Sequence, residues 1–260
     1  MPKHIGVIAV TLLVACAVFA GKKKESPAVF PDVTARGRLL FECDQASWHA
    51  TDALQATNAP TESLGRYLPR KSDSGWTVAF GRLNDARDTF LVAYEATQGA
   101  TLNDFSIKKI DPPRADTSFN LFAARAIDTA LHDFRGEKRP YNAAVLPAAS
   151  DQLYVYIFPA QTQEGVYPLG GDARYLISSD GNTILEKRQL HKGILENRGS
   201  IPQGSTVAGG VHTHVLSDVP EDTDVFFVLT RKPSVPEMIG TSNKKLYEIE
   251  IDGTIHESKM

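Results

Sequence analysis

The segment His212-Thr213-His214 limits the folds open to this chain, because its histidines point the same way only on an extended strand. Side chains alternate faces along a strand, which would place the two Cα atoms about 7 Å apart on one face. Asp224 follows ten residues after His214, and Asp222 is a rival to it. Two imidazoles and a carboxylate can hold zinc and leave a fourth position for water. The stretch therefore predicts one zinc ion held by His212, His214 and a carboxylate, either Asp224 or its rival Asp222.

Length and charge restrict the class of protein. The chain has 260 residues, of which 42% are hydrophobic and 23% charged, enough for one large domain or two small ones. The formal net charge is −3, and no run of alternating aromatic and basic residues is present. We therefore expect no nucleic acid partner.

The first twenty residues predict export to a bacterial envelope. Lys3 precedes an apolar run that ends at Ala20, a length that suits a signal peptide over residues 1–20. Cleavage after Ala20 would release a periplasmic protein, whereas Leu13-Val14-Ala15-Cys16 resembles a lipobox that would lipidate Cys16. An uncleaved anchor is a third interpretation. In each case we expect contact with a membrane only through this segment.

The next hundred residues predict a separate N-terminal region. Residues 21–36 are charged and contain proline, which predicts a tether, and residues 37–111 form a smaller α+β region. The predicted elements there are a strand, a helix and three further strands: Arg38–Glu42, Ala46–Gln55, Trp76–Leu83, Thr89–Ala96 and Phe105–Ile110. Cys43 is predicted to be a small buried hydrophobic residue on a strand. Asp111-Pro112-Pro113-Arg114 predicts the domain boundary.

The remainder predicts a helix followed mostly by strands, an α+β class. Ser118 can cap the helix, apolar residues then recur at helical spacing, and Gly136 ends it. Ser179-Asp180-Gly181-Asn182 predicts a hairpin turn. For Asp222–Thr230, strand propensity favours a strand, whereas Asp222 at the start and a lysine-proline pair at the end suit a short buried helix.

Residues 117–260 resemble the JAB/JAMM (MPN+) metalloprotease superfamily, in particular its bacterial members. That family carries a His-x-His on a strand, then a serine and an aspartate at a helix start, and a glutamate upstream. His212, His214 and Asp224 match the ligands, and Glu164, with Glu186 as a weaker alternative, matches the glutamate. The resemblance implies a mixed, largely antiparallel sheet with a long helix packed on it, as in cytidine deaminases, and a helix over Asp222–Thr230.

The resemblance also implies an activity. Zinc would activate water, and Glu164 would take its proton and pass it to the leaving amine of a peptide or isopeptide bond. Glu221 stands where the family has a serine that stabilises the oxyanion, and Ser217 is a possible substitute. His191 is a candidate hydrogen-bond partner of a metal ligand, or simply an exposed residue.

Two functions follow from this comparison. The first is an exported zinc-dependent hydrolase that acts on a peptide or protein. The second is a non-catalytic JAB-like envelope module that binds a protein or peptide, with a toxin- or immunity-associated role as a weaker idea by analogy.

Overall fold

The computed structural model describes residues 29–61, 64–198 and 206–258. The predicted signal peptide, Cys16 and residues 21–28 lie outside these residues. None of the described helices is both long enough and apolar enough to cross a membrane. The secondary structure is of the α+β class, as predicted.

The first element is one long helix, α1 (Val29–Ala56). The predicted strand Arg38–Glu42 is therefore wrong, and residues 29–36 of the predicted tether belong to the helix. Buried side chains recur every three or four residues along α1, which is a helical period: Val33, Leu40, Cys43, Ala46, Ser47, Ala50 and Leu54. Cys43 is buried and free, as expected, but on a helix.

The helix packs closely against the segment that contains Asp222 and Val225. A Cβ atom on Gly37 would lie 2.4 Å from Cβ of Val225 and 2.7 Å from the carbonyl oxygen of Asp222. Only glycine fits at this crossing. In addition, Thr34 donates a hydrogen bond to the carbonyl oxygen of Gly253 at 2.9 Å. The start of α1 is thus part of the folded unit.

An antiparallel sheet in the order β1-β2-β3-β4 follows. Its strands are β1 (Arg66–Ser72), β2 (Gly75–Leu83), β3 (Phe90–Gln98) and β4 (Phe105–Asp116). The predicted hairpin between Trp76–Leu83 and Thr89–Ala96 is confirmed by the pairing of β2 with β3. The proline pair of the predicted boundary lies inside β4, and a sheet edge tolerates residues that lack a backbone N–H.

The predicted long helix is present as α2 (Phe119–Asp133). A second antiparallel sheet has the order β5-β6-β8-β9. Its strands are β5 (Tyr141–Pro147), β6 (Leu153–Pro159), β8 (Ala173–Ile177) and β9 (Ile184–Gln189). The first hydrophobic core combines α2 with both sheets, and the second combines α1 with both sheets. Each core therefore crosses the boundary predicted near residue 111.

The remaining elements form two smaller sheets and a helix. Strands β7 (Val166–Gly170) and β10 (Ile194–Arg198) pair antiparallel. The last sheet contains β11 (Gly210–Thr213), β12 (Glu237–Gly240), β13 (Leu246–Ile249) and β14 (Ile255–Ser258), and β11 pairs with β12 in parallel. The ambiguous segment is helix α3 (Asp222–Thr230). A third core packs Val33 of α1 against α3 and this sheet.

Candidate metal site

Four buried side chains from three parts of the fold meet between β11 and α3. His212 lies on β11, His214 just beyond it, and Asp224 in the first turn of α3. His191 lies in the segment between β9 and β10. One ligand atom from each lies within 4.8 Å of every other. We call these four residues the metal cluster.

The distances inside the metal cluster suit a single ion. Nε2 of His214 lies 2.9 Å from Nε2 of His191 and 3.2 Å from Nε2 of His212. Asp224 Oδ1 lies 3.0 Å from His191 Nε2 and 3.1 Å from His212 Nε2, and Oδ2 lies 3.1 Å from His214 Nε2. Four atoms about 2.0–2.1 Å from a tetrahedral zinc ion would be about 3.3 Å apart. The cluster can therefore hold a metal ion with little movement.

Each histidine of the metal cluster is held through its other ring nitrogen. The Nδ1 atoms face an acceptor oxygen at 2.8–3.0 Å: Asp172 Oδ1 for His191, Glu237 Oε1 for His212 and the Val219 carbonyl for His214. An acceptor at Nδ1 places the proton of a neutral imidazole there, so Nε2 presents its lone pair to the centre. This is the arrangement that orients metal-binding histidines.

The charge around the metal cluster also favours a divalent cation. Among the described residues, the ion pairs of Asp172 and Asp224 are all with histidines, whereas Glu237 pairs with Arg231. Asp172 Oδ2 is buried and has no hydrogen-bond partner in the described chain. If the imidazoles are neutral, two buried carboxylates lack a counter-charge, and buried charges are stable only when compensated.

Without metal, protons supply that compensation. Burial lowers the pKa of His212, but its hydrogen bonds and proximity to Asp224 and Glu237 outweigh this and raise it to about 9. Burial also lowers the pKa of His191, yet the charges of Asp224 and Asp172 hold it well above its usual range. Burial raises the pKa of Asp224, but His191 and the other two imidazoles hold it well below its usual value.

Metal uptake at pH 7 is therefore expected to release protons. A group with a pKa raised to about 9 is protonated at pH 7 in the metal-free protein, and the metal must displace that proton. The apparent affinity for Zn²⁺ should rise with pH between about 6 and 8, by about tenfold per unit for each proton displaced. Chelator competition at three pH values measures the slope, and calorimetry in buffers of different ionisation enthalpy counts the protons. An affinity independent of pH would contradict the assignment.

The carboxylate of Asp172, which is hydrogen-bonded to Nδ1 of His191, should increase the affinity for zinc. Asp172→Asn removes the charge that favours the Nδ1–H tautomer, so we expect zinc affinity to fall by about 10–100-fold. Glu186→Gln is the matched control, because Glu186 is exposed on β9 and belongs to neither the metal cluster nor its partners. Equal affinities for the two variants would show that Asp172 does not orient His191.

A cavity of about 380 Å³ opens over one side of the metal cluster. His191 and His212 line it, whereas Asp224 is fully buried and does not. The remaining walls are mostly apolar: Leu169, Leu190, Ile194, Leu195, Val211 and Val215. Apart from the histidines, Lys192 is the charged residue in the lining of this cavity. Among the described residues, no carboxylate lines the cavity.

The structure does not bring Glu164 to the metal cluster. Glu164 is exposed in the loop between β6 and β7 and lines a different cavity, with residues of α1 and the end of α3. The predicted partnership between this carboxylate and the metal ligands is therefore not formed. Sequence spacing alone does not determine the direction in which a loop leaves a sheet.

The residues around the family's serine position support the metal cluster instead. The backbone N–H of Glu221 donates to Asp224 Oδ2 at 2.7 Å, and its buried carboxylate pairs with Arg188. Burial raises the pKa of Glu221. Ser217 donates to the Val219 carbonyl at 2.8 Å, the oxygen that also contacts His214.

Asp222, the rival ligand, belongs to a separate ion-pair network. It pairs with Arg36 of α1 and Arg174 of β8, and it accepts a hydrogen bond from the Tyr156 hydroxyl at 2.7 Å. Its carboxylate therefore joins α1 and the second sheet to the start of α3. This leaves Asp224 as the carboxylate of the metal cluster.

His191 is the ligand that sequence reasoning missed. It is not exposed, and it belongs to the metal cluster itself instead of supporting a ligand through a hydrogen bond. Its place after β9 carries no motif, and the long chain separation from His212 hides the contact. Comparisons with family models, with curated proteins and with solved structures find no match. The resemblance to the JAB/JAMM superfamily stays a prediction.

Proposed function

We propose that this chain is an exported hydrolase that binds one zinc ion at the metal cluster and cleaves a peptide or isopeptide bond. One observation supports this function above all others. The cavity is lined by His191 and His212, whereas Asp224 is fully buried and does not line it. A group that enters the cavity would lie beside two residues of the metal cluster.

In this function the residues of the metal cluster would hold the ion, and the apolar lining residues would shape the cavity. A zinc ion held by these four side chains would have to expand to five-coordination to bind water, whose pKa it would then lower to near 7, and it would polarise a carbonyl. Neutral His191, His212 and His214 would supply three ligands, and Asp224 a fourth that compensates charge. The apolar walls would exclude water and favour an apolar side chain beside the scissile bond.

A non-catalytic role is the second candidate, and the cavity lining favours it. No described carboxylate faces the cavity to move a proton, because Glu164 lies elsewhere and Glu221 pairs with Arg188. Four protein ligands can complete a tetrahedron, as in structural sites. In this role the ion would fasten β11, α3 and the segment after β9 within an envelope module that binds a protein or peptide.

Zinc analysis and a peptidase assay separate the two functions. We expect one zinc ion per chain and hydrolysis of fluorogenic peptides, or of an isopeptide-linked substrate, that chelation and His214→Ala both abolish. Glu164→Ala should retain the activity because Glu164 lines the other cavity. Stoichiometric zinc without hydrolysis would establish the non-catalytic function, and absence of zinc would reject both. Cell fractionation tests export.

A further inference from the structure

A second and larger cavity lies between α1, the loop after β6 and the end of α3. Its volume is about 810 Å³, within the range of sites for small ligands. It shares no lining residue with the cavity over the metal cluster. We call it the aromatic cavity.

Aromatic rings form one part of its wall. Trp48 of α1 is 57% exposed, and Tyr67 of β1 is 37% exposed. The Trp48 ring stacks on His49, with centroids 4.8 Å apart and planes 17° from parallel, which orients it before any ligand arrives. Phe41 and Tyr167 also line the cavity. Large aromatic surface left in water is a common mark of a binding site.

Polar side chains without a side-chain hydrogen bond form another part of its wall. In the described chain, Asn142, Gln163 and Glu164 make no side-chain hydrogen bond, although all three line the aromatic cavity. Asp44 also lines it, and burial raises the pKa of its carboxyl to about 6. Amide groups donate and accept, and carboxylates accept. The cavity therefore presents unused donors and acceptors beside aromatic faces.

The charge of the lining limits the ligand class. Asp44 and Glu164 are acidic and Lys232 is basic, so no cluster of cations is available for phosphate, nucleic acid or another polyanion. A neutral ligand with flat apolar faces and many hydroxyls fits best. A pyranose ring has such a face of C–H groups, which packs on aromatic rings, and an edge of hydroxyls.

We propose that the aromatic cavity binds a neutral oligosaccharide, with a sugar ring stacked on Trp48 and hydroxyls bonded to Asp44, Asn142 and Gln163. The volume allows a few sugar units rather than one. This binding is independent of the metal cluster and of any hydrolysis there. In an exported protein, this binding would attach the protein to an extracytoplasmic polysaccharide.

Tryptophan fluorescence tests this binding directly, because the chain has two tryptophans and the other, Trp76, is buried. We would titrate the mature protein with chitotetraose, cellotetraose and maltotetraose up to about 10 mM, and measure the same affinities by calorimetry. At least one of them should shift the emission to shorter wavelength. Zinc removal by a chelator should leave that affinity unchanged.

Variants assign the binding to this cavity. We expect Trp48→Ala to weaken binding by about tenfold or more, and Asn142→Ala by about threefold to tenfold. Lys108→Ala, on the exposed face of β4, is the matched control and should bind as the original chain does. Trp48 and Asn142 both line the cavity, so we expect their alanine variants to fold. Circular dichroism verifies that they do.

Three outcomes would overturn the proposal. The first is no binding of any of the three saccharides in either measurement. The second is calorimetric binding of equal strength by Trp48→Ala and the original chain. The third is a preference for tetraalanine over every saccharide, which would assign the aromatic cavity to peptides.

Discussion

His191→Ala should lower the affinity for zinc by about a hundredfold or more. Removal of a residue behind a ligand already costs about 10–100-fold, and His191 contributes an Nε2 atom to the cluster itself. The effect should also appear in stability. Zinc at about a thousand times its Kd stabilises a folded protein by about 4 kcal/mol, so most of that gain should disappear in the variant. Chelator competition measures affinity, and thermal unfolding with and without zinc measures the stability gain.

Two other histidines provide controls for this prediction. His132, at the end of α2, and His256, on β14, are exposed and far from the metal cluster in the chain. Alanine at either position should leave zinc affinity unchanged. If His191→Ala also retained it, then His212, His214 and Asp224 alone would form the site, as the sequence predicted.

Asp222→Asn should destabilise the protein by about 3 kcal/mol even without metal. Asp222 is fully buried, and the change leaves Arg36 and Arg174 without the carboxylate that both contact. Removal of one partner from a buried ion pair typically costs about 3–5 kcal/mol, and the partial exposure of Arg36 places the value at the lower end. Urea unfolding in the presence of a chelator isolates this contribution.

An exposed ion pair that also involves α1 gives the comparison. Arg38 and Asp252 are paired, with side chains that are 45% and 65% exposed, so Asp252→Asn should change stability by less than about 1 kcal/mol. Similar losses for the two variants would mean that the buried network contributes no more than a surface pair. Because Asp222 begins the helix that carries Asp224, we also expect Asp222→Asn to weaken zinc binding.

Local patterns predicted much of the metal site. His212 and His214 alternate with an exposed Thr213, as the strand period requires, and Asp224 lies on the next helix. The long helix α2 and the hairpin of β2 and β3 were also evident from periodicity and turn residues. These features depend on residues close in the chain, where spacing and side-chain direction are coupled.

Other predictions failed where distant segments decide the outcome. The three apolar residues between Arg38 and Glu42 are too few to distinguish a strand from a helix, and the packing of α1 against both sheets selects the helix. Glu164 has the expected spacing from His212, but its loop faces the aromatic cavity. No local sequence motif marks His191, because the residues that it meets, His212, His214 and Asp224, lie on or beside β11 and on α3.

The sequence by itself determined the α+β class, the strand with its paired histidines and the aspartate that joins them. These follow from short-range periods of two and of about 3.6 residues. Only the tertiary structure decided that His191 completes the metal cluster, that Asp222 forms an ion-pair network and that Glu164 lies at a different cavity. Such contacts join segments far apart in the chain, and their geometry depends on how three sheets and three helices share their cores.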